Sequence, residues 1–125
     1  MNLEQKMVRE FHDTFGIHTE DSPTEPSAQV IERRINLINE ETNELFKALR
    51  DRDLVLIADG IADLFYVTYG AAIECGIDME SIFKEVHRSN MTKKGGHFNS
   101  YGKLVKPDTY EPPKILPIIN FQKGF

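Results

Sequence analysis

Cysteine is nearly absent from this chain: Cys75 stands alone among 125 residues. No internal disulfide can form and no C-x-x-C metal site exists, which fits a reducing, cytoplasmic setting. No apolar signal-like segment opens the chain at Met1-Asn2-Leu3-Glu4-Gln5-Lys6, so secretion is not expected. Positive charge is also short: fifteen Lys and Arg face twenty Asp and Glu, a net charge of −5. A general nucleic-acid binder is usually basic, so no nucleic-acid polymer is expected as a partner. Internal repeats and low-complexity tracts are missing too. What remains, 40% hydrophobic and 28% charged residues, is ordinary globular composition. The length leaves room for one core, so residues 1–125 read as a single domain.

The net charge hides an uneven distribution. Residues 1–87 carry a balance of −10, and residues 88–125 a balance of +5. Apolar periodicity over the acidic part predicts four helices. The first runs from Leu3 to Phe15, with Met7, Val8, Phe11 and Phe15 at helical spacing, and stops at Gly16. The second follows an N-cap at Ser27 and reaches about Arg50, and the third spans Leu54 to Cys75 before Gly76. Only Asp51-Arg52-Asp53 joins these two, so they should fold back antiparallel. Asp78 caps a shorter fourth helix that ends near Ser89. Beyond it Gly95, Gly96, Pro107, Pro112, Pro113 and Pro117 argue against long regular elements. The expected class is all-α: a four-helix bundle-like core with a basic, mostly irregular extension over 91–125.

The acids are not spread evenly over the helix surfaces. The main apolar stripe of the second helix is Ile31, Ile35, Ile38, Leu45 and Leu49. Glu40, Glu41 and Glu44 share a second, partly apolar face with Val30, Leu37 and Ala48. In the third helix sixteen of twenty-two residues are apolar, which predicts burial nearly all round. Asp59, Asp63 and Glu74 would be costly in lipid, so a buried soluble helix is preferred to a membrane span. Asp59 and Asp63 lie on one face of it. Folding the hairpin about Arg52 sets Glu44 level with Gly60, and Glu41 level with Asp63. No Lys or Arg in the facing stretches pairs with all of these carboxylates; Arg50 and Arg52 lie two turns away. Protonation or divalent cations must compensate them. Hard oxygen donors without Cys or His suit Mg²⁺ or Mn²⁺. Paired Glu-x-x-His motifs, which a di-iron bundle would need, do not occur.

Two segments then carry a resemblance. Glu40-Glu41-x-x-Glu44, followed by Asp59-Gly-Ile-Ala-Asp63-Leu-Phe-Tyr, resembles the MazG-type all-α NTP pyrophosphohydrolases, whose pattern is ExxE followed by ExxD. The run His87-Arg88-Ser89-Asn90-Met91-Thr92-Lys93 and the tail around Gly102-Lys103, Lys106-Pro107 and Tyr110 are similar to the phosphoribosyl-ATP pyrophosphohydrolase-like branch. The resemblance implies Mg²⁺-dependent hydrolysis of a nucleotide between its α and β phosphates, giving a monophosphate and pyrophosphate. It implies metal ligands at Glu40, Glu41, Glu44 and Asp63, with one of the three glutamates as general base. Gly60 stands where that family has its second-motif Glu, and Asp59 is the nearest substitute ligand. Substrate contacts are implied at Arg88, Asn90, Lys93, Lys106 and Tyr110, the last stacking on the base. It also implies a homodimer or homotetramer.

A noncatalytic helical module that binds a nucleotide or a partner protein is the competing expectation. Phe11 and Phe15 read as core aromatics, Cys75 as a small core residue, and His12 and His18 as surface or loop residues. The apolar stretch Ile115, Leu116, Ile118, Ile119 and Phe121 reads as a patch that packs on the body or on another subunit.

Overall fold

Helix boundaries in the computed structural model, which describes residues 1–125, follow the capping residues. Asn2 caps α1 (Leu3–Phe15) by accepting from the Gln5 N–H, and Ser27 caps α2 (Ala28–Asp51) by accepting from the Val30 N–H. Asp53 caps α3 (Leu54–Cys75) through the amides of Val55 and Leu56. Arg52, at φ 55°, adopts the left-handed conformation that ends α2, a strained choice for a residue with a Cβ. Gly76 ends α3 at φ 69°, where a Cβ would lie 2.2 Å from the Ser22 carbonyl oxygen. After α4 (Met79–Met91) come β1 (His97–Phe98), β2 (Leu104–Val105) and α5 (Ile115–Gln122). The fold is all-α with one small antiparallel hairpin, and the chain divides into two compact units, Met1–Met79 and Glu80–Phe125.

In the first unit α2 and α3 form the main helix pair and α1 packs on α3. Val8, Val30, Ala48, Ala72 and Ile73 are its buried apolar side chains. Gln5 is fully buried and bonds both ways across the link after α3, donating to the Ile77 carbonyl at 2.7 Å and accepting from the Met79 N–H at 2.9 Å. Two apolar expectations change. The buried side of α2 is its acid-bearing face, with Val30, Arg34 and Ala48, while Ile31, Ile35 and Leu49 stay exposed. In α3 only Gly60, Gly70, Ala72, Ile73 and Glu74 are buried; Leu54 and Val55 are 80% and 77% exposed, and Leu56 and Phe65 are exposed as well. Three helices offer too little surface to cover a helix that is apolar all round. Phe11 and Phe15 are exposed rather than core; they touch each other, and Phe11 meets Tyr66 edge-on at 5.5 Å. The α3 segment is also long and apolar enough to cross a membrane by length and composition.

His12 is a clear correction, since only 2% of it is exposed. Its Nδ1 meets the His18 carbonyl at 3.1 Å and its Nε2 meets Arg34 Nη2 at 3.3 Å. An arginine can only donate, so Nε2 accepts and Nδ1 carries the proton: this histidine is neutral. Arg34 Nε in turn donates to Glu74 Oε2 at 2.6 Å, and Arg33 donates to Glu74 Oε1. The Glu74 side chain has no exposed surface, and two arginines serve it.

In the second unit Ile82 and Ser89 of α4 are buried. The hairpin pairs His97 with Val105 and Phe98 with Leu104, and Asn99 Oδ1 accepts from the amides of Tyr101 and Lys103 at its turn. The terminal apolar patch forms the helix α5. Pro117 is tolerated there because it falls in the first turn, where no amide has an intrahelical partner.

Burial, the largest influence, lowers the pKa of His12, and the Arg34 and Arg33 charges add to it. Burial would raise Glu74, but hydrogen bonds from Arg34 and Arg33 outweigh it and hold that carboxyl below its ordinary value. In both cases the unfolded chain binds more protons, so stability falls on acidification. We expect the melting temperature to drop as pH falls below about 6.5, where an unfolded histidine becomes charged. His12→Asn should flatten that limb in a calorimetric pH series.

Candidate metal and nucleotide site

The α2–α3 hairpin brings acids from both helices to one level. Carboxylate oxygens of Glu41, Glu44 and Asp63 lie within 4.8 Å of one another, the register expected from the short link. One turn nearer the link, a Cβ on Gly60 would lie 3.3 Å from Leu45 Cα, so the missing side chain lets the helices close beside the acids. Glu41 Oε2 is buried and has no hydrogen-bond partner. Burial raises the Glu41 pKa, and the charges of Glu44, Asp63 and Glu40 push it the same way. Glu40 and Asp59 are exposed and lie outside the three-carboxylate group. Asp59 instead borders a cavity of about 210 Å³ with Glu44, Lys47 and Leu56.

Glu41 and Asp63 also edge a cavity of about 260 Å³ walled by Phe11, Ile17, Leu37, Tyr66 and Val67, with His12 and Arg34 among its lining. Sequence reasoning missed His12, Arg34 and Glu74. The interruption of an apolar helix by Glu74 was the available signal, but its partners come from α1 and α2.

The expected substrate contacts lie in the second unit. Arg88 is committed: Nε and Nη2 donate to the two Glu85 oxygens and Nη1 donates to Glu111 at 2.9 Å. Hydrogen bonds from Arg88 and the Lys114 amide pull the Glu85 carboxyl down to about 2. Tyr110 carries two ammonium groups on its ring, Lys106 Nζ at 4.8 Å and Lys93 Nζ at 5.7 Å from the centroid. Its hydroxyl lies 3.3 Å from the buried Ser89 hydroxyl. Neither lysine has a carboxylate partner. Asn90 is exposed.

A helix pair with three converging carboxylates beside a ring-walled cavity defines a candidate site for a cation and a nucleotide. The chain belongs to the phosphoribosyl-ATP pyrophosphohydrolase family, whose profile matches residues 8–90. That membership points to a nucleotide pyrophosphohydrolase. Over 116 residues the chain is also 33% identical to an uncharacterized protein, L479, of Acanthamoeba polyphaga mimivirus. The match takes in 87% of this chain and 45% of that protein, so the chain spans under half the length of that relative.

The donor set fits a hard divalent cation: all ligands are carboxylate oxygens, and the buried, partnerless Glu41 oxygen is the atom such an ion would satisfy. Cation and proton compete for Glu41, so metal binding strengthens as pH rises. Mg²⁺ should raise the melting temperature more at pH 7.5 than at pH 5.5. Glu41→Gln should raise the metal-free melting temperature by roughly 2 °C, by relieving repulsion, and should abolish most of the Mg²⁺ response. A thermal melt with EDTA or Mg²⁺ reads both.

Proposed function

We propose that this protein hydrolyses the α–β phosphate bond of a nucleoside triphosphate, or a closely related nucleotide, to a monophosphate and pyrophosphate. The observation that carries the reading is the buried, partnerless Glu41 oxygen inside a three-carboxylate cluster, within the stretch the family profile matches. Glu41, Glu44 and Asp63 hold Mg²⁺, or Mn²⁺ in its place, with Asp59 in reserve beside Glu44. When bound, the cation supplies a more acidic water and neutralises charge on the leaving pyrophosphate. Glu40 stands outside the ligand group and accepts the proton of the attacking water. The ring-walled cavity beside Glu41 and Asp63 takes the base, with Phe11 and Tyr66 as apolar walls. Within the second unit, Lys93 and Lys106 are two unneutralised cations on one ring, a pairing suited to phosphate oxygens, and Asn90 is suited to phosphate or sugar. The Tyr110 ring presents those lysines rather than stacking on the base, and Arg88 braces the tail through Glu85 and Glu111.

The exposed apolar residues of α2 and α3 pack against a second copy of the chain, giving a homodimer or homotetramer. A lipid partner is disfavoured because Asp59 and Asp63 would enter it as charges. Val55→Lys should shift sedimentation toward the monomer; a wild-type chain that is monomeric at about 100 µM would exclude self-association.

A substrate panel tests the chemistry. Nucleoside triphosphates with Mg²⁺ should release pyrophosphate and not orthophosphate, and Glu44→Gln or Asp63→Asn should cut the rate roughly 100-fold or more. Full activity in either amide variant, or release of orthophosphate, would refute the mechanism. No turnover and no metal response would favour a noncatalytic nucleotide-binding or interaction module.

A further inference from the structure

At the α2–α3 contact the charge of Glu41 is opposed by those of Glu44, Asp63 and Glu40. Before any cation binds they repel, so the cluster does not hold itself together. The short link sets which turns face each other, and something else must hold them together against that repulsion farther along the hairpin. On the link side of the acids the contact is Leu45 against Gly60, which is apolar and lets a helix slide.

On the other side the contact is directional. Two turns from Glu41 along α2 is Arg34, and two turns from Asp63 along α3 is Gly70. The Arg34 guanidinium lies flush on Gly70, where a Cβ would sit 2.3 Å from Nη1 and 2.8 Å from Cζ. Its fork is tied at three points: Nε to Glu74 Oε2 at 2.6 Å, Nη1 to the Val67 carbonyl at 3.3 Å, and Nη2 to His12 Nε2 at 3.3 Å. Val67, Gly70 and Glu74 all belong to α3, and His12 brings in α1. A slip of α2 by one turn, about 5.4 Å, would break all three bonds and leave Glu74 buried without charge compensation. The same slip exceeds the 4.8 Å span of the carboxylate oxygens, so it would dissolve the cluster.

We infer that the Arg34 fork, clamped by Glu74 and seated on Gly70, locks the register that the short link sets between α2 and α3 and thereby holds Glu41 and Asp63 at metal-binding distance. Arg34, Gly70 and Glu74 are positioning residues and touch no reacting atom. The inference rests on the metal site proposed above. It adds that cation affinity is set two turns away from the ligands, through a lock that only a glycine at position 70 admits.

Mn²⁺ alone is the probe, with bound and free ion counted by electron paramagnetic resonance and no turnover needed. Gly70→Ala should weaken Mn²⁺ binding at least tenfold, and Glu74→Gln should weaken it in the same direction. Val8→Ala removes a buried side chain of α1 outside the α2–α3 contact; it should lower the melting temperature yet leave Mn²⁺ affinity unchanged. The double variant Gly70→Ala/Arg34→Met should bind no more weakly than Arg34→Met alone, because the added methyl then has no guanidinium to displace. Native affinity in Gly70→Ala, or an equal loss in Val8→Ala, would overturn the lock while leaving the metal site standing. Should Gly70→Ala fail to fold, Glu74→Gln decides: native affinity there overturns the lock, and weakened binding supports it. A wild-type chain that binds no Mn²⁺ removes the metal reading and the lock together.

Discussion

Charge burial at the contact between α2 and α3 is the constraint around which the first unit is organised. Glu74 carries a carboxylate with no exposed surface, a position that an isolated ion cannot hold. Arg34 and Arg33 answer it, and a histidine kept neutral accepts one of the leftover guanidinium protons. Replacing such a group with an apolar one need not destabilise a protein, but removing one partner strands the other. The network is therefore best understood by the geometry it enforces, a single alignment of three helices, and not as a large net source of stability.

Two turns away, the same helix pair treats its acids in the opposite manner. Glu41 has an oxygen out of contact with water and no donor aimed at it, while its neighbours Glu44, Asp63 and Glu40 repel it. One carboxylate on this interface is fully compensated by the chain and another is left uncompensated. The proposed metal role accounts for the difference: a structural charge wants its partner built in, whereas a ligand must have its lone pairs free. Rigid compensation at Glu74 makes the uncompensated cluster at Glu41 sustainable.

Much of this could be read from the sequence, and the part that could is local or follows from helix arithmetic. Four helices, their caps and the level of Glu41 with Asp63 need only periodicity, cap residues and a three-residue link. What escaped are pairings between distant elements. His12 looked like a surface residue because its partners, His18 and Arg34, are set by the docking of α1, which its own neighbourhood does not reveal. Arg34 sits on the acid-bearing face of α2 among apolar residues, and only Glu74, 40 positions away, explains it. The two faces of α2 were both visible, but not which one the chain covers itself. Ile31, Ile35 and Leu49 are the more apolar, yet Val30 and Ala48, on the acid-bearing face, are the apolar residues of α2 that the chain buries.

That choice of face connects the site to the exposed apolar surface. Had Ile31, Ile35 and Leu49 packed on α3, Glu41 would have turned away from Asp63, since at about 100° per residue the two faces of α2 lie roughly a quarter turn apart. Turning the acid face inward leaves Ile31, Ile35 and Leu49 outside, together with the first turn of α3, while Ile38 and Leu45 at the edge of the stripe are half-buried. The exposed apolar area and the carboxylate cluster are thus two results of one rotation of α2 about its axis. A chain of this size can turn either its acid-bearing face or its most apolar stripe toward α3, and this one turns the acids inward.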